Sequence, residues 1–375
     1  MKLVELLFQA SQYKADVVDD SFTPLLWAIC FGRQDVVKAL LSADVDVNER
    51  SSDVMAWVEP NPDIPLGAAV KINHKEIVEL LLKSEGIDVN ARDKNGDTAI
   101  IIAAKNSNQD IVGLLLNTGK VDVNAKDKHG RSAIIVAAER GYEDIVELLL
   151  KSEGIDVNAQ DDNGDTALMK RFRSRNNARP MIGVAKLLLN TGKADPNLQS
   201  NGGETALTYA AWYERLDAVE LLLANGSDPN LKNGMGETAL MIAAERGLKI
   251  VVNLLVNHKN VDLNAQDKGR QTALMRAARK GYIGLVKSLI NHENLDLNAK
   301  DKDGQTALMI AVRYGKAEMV ELLINSLGVE VNAKDSEGKT ARMLAKSGRH
   351  KNIVELLDRG SSRPLVVVDY VSHTT

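Results

Sequence analysis

This chain of 375 residues contains one cysteine, Cys30, which excludes an internal disulfide framework and any cysteine-held zinc site, since both need partners of the same kind. A lone thiol fits a reducing compartment. Charge of one sign is not in excess either: 47 basic residues face 51 acidic ones, a formal balance of −4, which argues against a surface built to coat a polyanion while leaving room for a local basic strip. No apolar run approaches the roughly 20 residues that cross a bilayer. The opening MKLVELLFQA carries a glutamate inside a short amphipathic run and lacks the long apolar core of a secretory signal. A soluble, cytoplasmic, monomeric protein is expected, with no nucleic-acid partner and no membrane insertion.

A hydrophobic content of 44% with only 4% aromatics would normally divide over two or three domains at this length. Instead one pattern covers nearly everything. Asparagines following Asp-Val or a close variant stand at Asn48, Asn90, Asn124, Asn158, Asn197, Asn230, Asn264, Asn298 and Asn332, at spacings of 42, 34, 34, 39, 33, 34, 34 and 34. About eight residues after most of them comes a Thr/Ser-Ala start: Thr98, Ser132, Thr166, Thr205, Thr238, Thr272, Thr306 and Thr340. Two signals in register at this period mean a stack of identical supersecondary units.

Residues 127–160 show the unit most cleanly. Asp127-Lys128-His129-Gly130 reads as a tight turn, with Gly130 supplying a positive φ. Ser132 stands where a hydroxyl can cap the first helix, Ala133 onward. Ala137 and Ala138 are small enough to let helices of neighbouring layers approach closely. Gly141 ends that helix, and Ile145, Val146, Leu148, Leu149 and Leu150 give a second helix a broad apolar face. The side chain of Asn158 is expected to fix the return turn by bonding local backbone.

With turn finger, first helix and second helix in place, the unit resembles the ankyrin repeat, over residues 20 to about 360. One departure is consistent: the family's Thr-Pro-Leu-His is here mostly of the type Thr238-Ala239-Leu240-Met241, while Pro24 and Pro65 keep the proline, so most copies should lean more on apolar packing. The resemblance implies an all-α repeat solenoid of β-finger plus antiparallel helix pair, stacked into a right-handed curved array. Residues 1–19 would form an N-terminal capping half-repeat. Nine repeats follow at about 20–50, 51–92, 93–126, 127–160, 161–199, 200–232, 233–266, 267–300 and 301–334, then a C-terminal capping repeat at 335–360 and a tail at 361–375. No repeat buries its apolar face alone, so stability is a sum over neighbour contacts.

In this family, contacts commonly lie on the concave face, just after the paired small residues of the first helix. Those positions here are Glu139 and Arg140, Trp212 and Tyr213, Glu245 and Arg246, Arg279 and Lys280, and Arg313 and Tyr314. From Trp212 onward they are largely aromatic and basic, the types enriched among interface anchors. Finger residues Glu204, Met235, Glu237, Lys268, Arg270, Gln271, Lys302, Asp303 and Gln305 add both signs of charge, which suits a protein better than a phosphate backbone. Two irregular stretches are secondary candidates: the inserted SSDVMAWVEPNPDIP with Trp57, and the segment around Arg171, Arg173 and Arg175, where Arg171 and Phe172 replace the paired alanines. Arg171, Arg173 and Arg175 form a basic cluster that either is simply solvated or docks acidic groups.

Catalytic chemistry is not expected. His258 and His292 recur at matching repeat positions, which points to scaffold duty, and Cys30 has no histidine motif beside it. No phosphate loop or dinucleotide fingerprint is present, so cofactor and metal sites are expected to be none. The expected role is a scaffold or adaptor gripping an acidic or amphipathic segment of another protein. The alternatives are a secreted effector of a host-associated microbe acting in the host cytosol, or an inhibitor of an enzyme.

Overall fold

In the computed structural model, which describes residues 23–43, 45–50, 64–173 and 181–361, each repeat is a turn followed by two short helices. The chain clusters into two compact units, one up to Gly202 and the other from Gly203. In the first unit the helix pairs are α1 Pro24–Cys30 and α2 Gln34–Ser42, α3 Pro65–Lys71 and α4 Lys75–Leu82, α5 Ala99–Lys105 and α6 Gln109–Asn117, α7 Ala133–Arg140 and α8 Glu143–Leu150, and α9 Ala167–Arg173 and α10 Met181–Asn190. In the second they are α11 Ala206–Trp212 and α12 Leu216–Ala224, α13 Ala239–Arg246 and α14 Lys249–Val256, α15 Ala273–Lys280 and α16 Ile283–Ile290, α17 Ala307–Arg313 and α18 Ala317–Ile324, and α19 Ala341–Ser347 and α20 Lys351–Ser361. The fold is an all-α repeat solenoid. The N-terminal half-repeat at 1–19, residues 362–375 of the tail and the inserted finger with Trp57 lie outside the described residues.

First and second helices bury different amounts because they occupy different places in a layer. In α7 every residue from Ala133 to Ala138 is buried, since this helix packs against its own partner α8 and against the first helices α5 and α9 on either side. A helix flanked so closely needs small side chains at its contacts, which the alanine pairs supply. In α8 only Ile145, Val146 and Leu149 are buried, one stripe of an amphipathic helix. Of the methionines that stand in place of the family's histidine, Met169, Met241, Met275 and Met309 are buried, while Met343 in the last repeat is exposed.

First-helix Ser and Thr N-caps follow the expected chemistry with two exceptions, Thr98 and Ser132. Thr205, Thr238, Thr272, Thr306 and Thr340 each accept a backbone N–H of the first turn on the side-chain oxygen. Ser132 occupies the same N-cap position but makes no such bond, and its buried hydroxyl finds no partner. Gly141 closes α7 in the left-handed conformation at φ 73°, where its lack of a Cβ removes the steric cost.

The fingers are turns, not strands: among the described residues β pairing is confined to one isolated bridge between Lys334 and Thr340. Each turn is held by its first residue. The Asp127 N–H donates to the Arg131 carbonyl at 3.0 Å, while Asp127 Oδ1 accepts from the backbone N–H of His129 at 2.9 Å and of Arg131 at 3.0 Å. Successive fingers are laddered, as where Asp162 N–H donates to the His129 carbonyl at 3.1 Å. That ladder brings the next finger so near that a Cβ on Gly130 would lie 2.7 Å from the Asp162 nitrogen.

The repeated asparagines do something other than the local task expected of Asn158. The local bond is made two residues earlier, by Asp156 Oδ1 accepting from the Asn158 N–H at 3.0 Å. The Asn158 amide instead crosses to the following repeat, donating to the Lys193 carbonyl at 2.9 Å and accepting from the Asp195 N–H at 2.9 Å. Asn48, Asn90 and Asn124 in the first unit and Asn230, Asn264 and Asn298 in the second make the same pair of bonds. An amide offers a donor and an acceptor on one planar group, so a single side chain staples two layers. Among the described residues no helix is long and apolar enough to cross a membrane.

Candidate functional site

The second unit gathers most of the expected contact residues at the C-terminal ends of its first helices. Trp212 is the last residue of α11 and Tyr213 caps it; Glu245 and Arg246 end α13; Arg279 and Lys280 end α15; Arg313 ends α17, capped by Tyr314. Because α11 packs on α13, α13 on α15 and α15 on α17, equal register positions become neighbours in space.

Several of these neighbours are in contact. The Arg246 guanidinium lies over the Trp212 ring at 5.0 Å from its centroid, a cation–π pairing worth about 0.5–1 kcal/mol at an exposed site. Glu245 accepts from Arg279 Nη2 at 2.6 Å and meets Lys280 Nζ at 2.9 Å. Burial alone would raise the Glu245 carboxyl pKa, but the hydrogen bonds from Lys280 and Arg279 outweigh it and hold the group below the usual range. Arg313 donates to the neutral Gln305 of its own repeat at 3.3 Å. Trp212 is 45% exposed, Tyr314 55% and Met235, at the finger before α13, 59%. Trp212, Met235, Ile242, Glu245, Arg276 and Arg279 are among the residues lining an open pocket of about 330 Å³.

Several expected residues fall elsewhere. Arg140 belongs to the first unit, exposed at the end of α7. Arg171, read from the sequence as part of a basic docking loop, is 1% exposed and sits inside α9 beside Phe172, which is wholly buried. Its guanidinium reaches across to α7, where Nη1 donates to the Glu139 carbonyl at 3.5 Å. A side chain enclosed between two first helices cannot dock a partner. Arg173 is exposed and meets the buried Asp165 carboxylate. Arg175 and Trp57 lie outside the described residues. Among the finger residues, Glu237 and Gln305 turn out to be buried.

The buried cations of the first helices escaped the sequence reading. Lys170 and Arg276 are each 8% exposed, at the register position that other repeats fill with Val136, Ile242 or Ile310. Lys170 Nζ lies 2.7 Å from Asp161 and 3.2 Å from Asp165; Arg276 lies 2.7 Å from Glu237 and 2.5 Å from Asp267. In both cases burial opposes the charge, and hydrogen bonds to the two acids outweigh it, raising the pKa of the cation. A charged residue at an otherwise apolar repeat position was the available signal. Asp127 is the matching anion of another finger: burial raises its pKa, but side-chain and backbone bonds from Arg131 bring it down to about 2.

Cys30 is half-buried, and burial raises its thiol pKa to about 11 against a smaller opposing pull from Lys71. It is therefore a protonated, weakly reactive thiol at neutral pH. Among the described residues no three His, Cys, Asp or Glu side chains are grouped so as to hold a metal ion.

The family profiles agree with this geometry. Profiles of ankyrin repeats match residues 66–161, 153–233, 225–301 and 276–362, and a single-repeat profile matches residues 20–52. An 80-residue stretch is 38% identical to the human transient receptor potential cation channel subfamily A member 1, covering 21% of this chain and 6% of that protein. The crystal structure of EF0377, an ankyrin repeat protein, aligns with a TM-score of 0.48 at 25% identity, covering 55% of this chain and 98% of that one.

Proposed function

This chain belongs to the ankyrin-repeat family, and we propose that it is a non-enzymatic scaffold that holds an acidic or amphipathic segment of another protein against the first-helix ends of residues 205–314. Ankyrin repeats generally bind other proteins. The observation that carries the placement is the coincidence, at two consecutive register positions, of an exposed indole, an exposed phenol and four cations: Trp212, Tyr314, Arg246, Arg279, Lys280 and Arg313. Large rings left in water are costly, and tryptophan, tyrosine and arginine are the types that dominate binding energy at protein interfaces. Of their helices, α13, α15 and α17 are each packed between two neighbouring first helices, and α11 is packed on α12 and α13, so the face is preorganised and docking needs little ordering of the scaffold.

The test is affinity capture with quantitative mass spectrometry, comparing the native chain with a Trp212→Ala/Tyr213→Ala/Arg279→Ala variant. Central anchors are typically worth about 2 kcal/mol or more each, so the variant should lose at least about 30-fold of its retention of the native partner while melting as before. Retention equal to that of the native chain rejects this placement.

A further inference from the structure

The proposed face is not uniform. It includes a pocket of about 330 Å³ beside Trp212, at the small end of the roughly 300–1,000 Å³ range of ligand sites. Met235 and Trp212 present exposed apolar surface there, and Ile242, 2% exposed, lies beneath. A thioether and an indole held in water on either side of a hollow gain by burying an aliphatic group between them.

The charges around the hollow are unequal in a way that specifies what flanks that group. Both carboxylates lining it are already neutralised: Glu237 by Arg276 at 2.7 Å, and Glu245 by Arg279 at 2.6 Å together with Lys280 at 2.9 Å. Arg276 is itself shared between Glu237 and Asp267, two cations share the single Glu245, and Arg246 rests on the Trp212 ring, so four cations face three acids. The rim therefore carries positive charge beyond what its own acids balance. A cationic segment would have to compete with arginines already seated on Glu237 and Glu245, whereas an anionic one meets donors with capacity to spare.

We infer that this pocket takes one large aliphatic side chain, of the leucine kind, from a partner segment whose neighbouring residues are aspartate or glutamate. The inference rests on the proposed protein-binding role of this face and gives that role a specific anchor. The aliphatic group fills the space between Trp212 and Met235, and the flanking carboxylates accept from the free N–H groups of Arg246 and Lys280. Specificity then comes from two separable contributions: apolar burial selects the central residue, and the rim charge selects its flanks.

The test uses the full chain labelled with 5-fluorotryptophan, whose three tryptophans, Trp27, Trp57 and Trp212, give three fluorine resonances assignable by single Trp→Phe changes. The probes are three synthetic peptides: acetyl-Gly-Asp-Glu-Leu-Asp-Glu-Gly-amide, the same peptide with alanine at its centre, and the leucine peptide with lysine flanks. The acidic leucine peptide should move the Trp212 resonance saturably and leave that of Trp27 in place. The alanine peptide should bind about tenfold or more weakly, as losing the methylene groups of a pocketed side chain entails, and the lysine peptide should not bind. Met235→Ala should weaken the leucine peptide about fivefold or more. A Trp212 signal unmoved by millimolar peptide, equal responses to all three peptides, or an unaffected Met235→Ala variant would each overturn the inference. Loss of partner capture by the triple alanine variant alongside any of these results leaves the binding face standing and removes only the pocket; unimpaired capture by that variant removes the face itself.

Discussion

Changing Asn264 to aspartate replaces one NH2 with an oxygen at constant shape, and so isolates what the interlayer staple contributes. Asn264 Nδ2 donates to the Asn294 carbonyl at 2.7 Å and Oδ1 accepts from the Asp296 N–H at 2.7 Å. The acceptor half survives the change. The donor half becomes a carboxylate oxygen facing a carbonyl oxygen, so one hydrogen bond of about 1 kcal/mol is lost and two oxygens are forced apart or rehydrated. Asn264 is half-buried, so water relieves part of that conflict, and a cost of about 1–2 kcal/mol at pH 7 follows. Protonation restores a donor. The introduced carboxyl is thus held more tightly by its proton in the folded chain than in the unfolded one, its folded pKa lies above the unfolded value of about 3.9, and stability falls as pH rises between the two. The deficit against the native chain should be nearly closed at about pH 3 and fully open at pH 7. Because repeat arrays open locally and need not unfold in one step, the measurement is native-state hydrogen exchange by mass spectrometry over residues 233–300 at both pH values. Asn257→Asp, at an exposed helix end nearby, serves as the control. A variant whose protection equals the native chain at pH 7, or whose deficit is no more pH-dependent than the control's, refutes the stapling role.

The helix caps give an opposed pair. Thr272→Ala removes an oxygen that accepts from Met275 N–H at 3.3 Å and should cost about 1 kcal/mol, whereas Ser132→Ala removes a buried hydroxyl with no partner and should leave stability unchanged or raise it, as read by chemical denaturation. Lys170→Met strands Asp161, while Asp165 keeps Arg173; about 3 kcal/mol should be lost at pH 7 and partly recovered as pH falls and Asp161 takes up a proton, and a variant as stable as the native chain would show that the cluster is neutral. In the native chain the raised folded pKa of Lys170 means that its contribution is complete below the unfolded lysine value and declines as pH rises through the folded one, which an alkaline denaturation series would show.

How far the chain could be read without coordinates depended on distance along the backbone. The period, the helix pairs, the finger turns and the Gly141 terminus are all set by neighbours within a few residues, through turn chemistry, alternation of small and large apolar groups, and backbone stereochemistry, and each was legible. Even the positions Trp212 to Tyr314 could be listed, because a repeat carries its register with it. What could not be read was any interaction spanning a full repeat. Arg171 looked like a surface cation by composition, yet α7 and α9 enclose it; Asn158 looked local, yet its amide reaches Lys193 and Asp195; Lys170 and Arg276 stood in plain view as charges in an apolar register, but their acids lie in fingers whose approach only the packed layers define. Sequence alone determined that this is a stack of helix pairs, since each unit must bury a face it cannot cover by itself. Tertiary structure decided which polar groups are enclosed between layers and which are left at the edge, because burial depends on what the adjoining repeat places opposite, some 30 to 40 residues away in the chain.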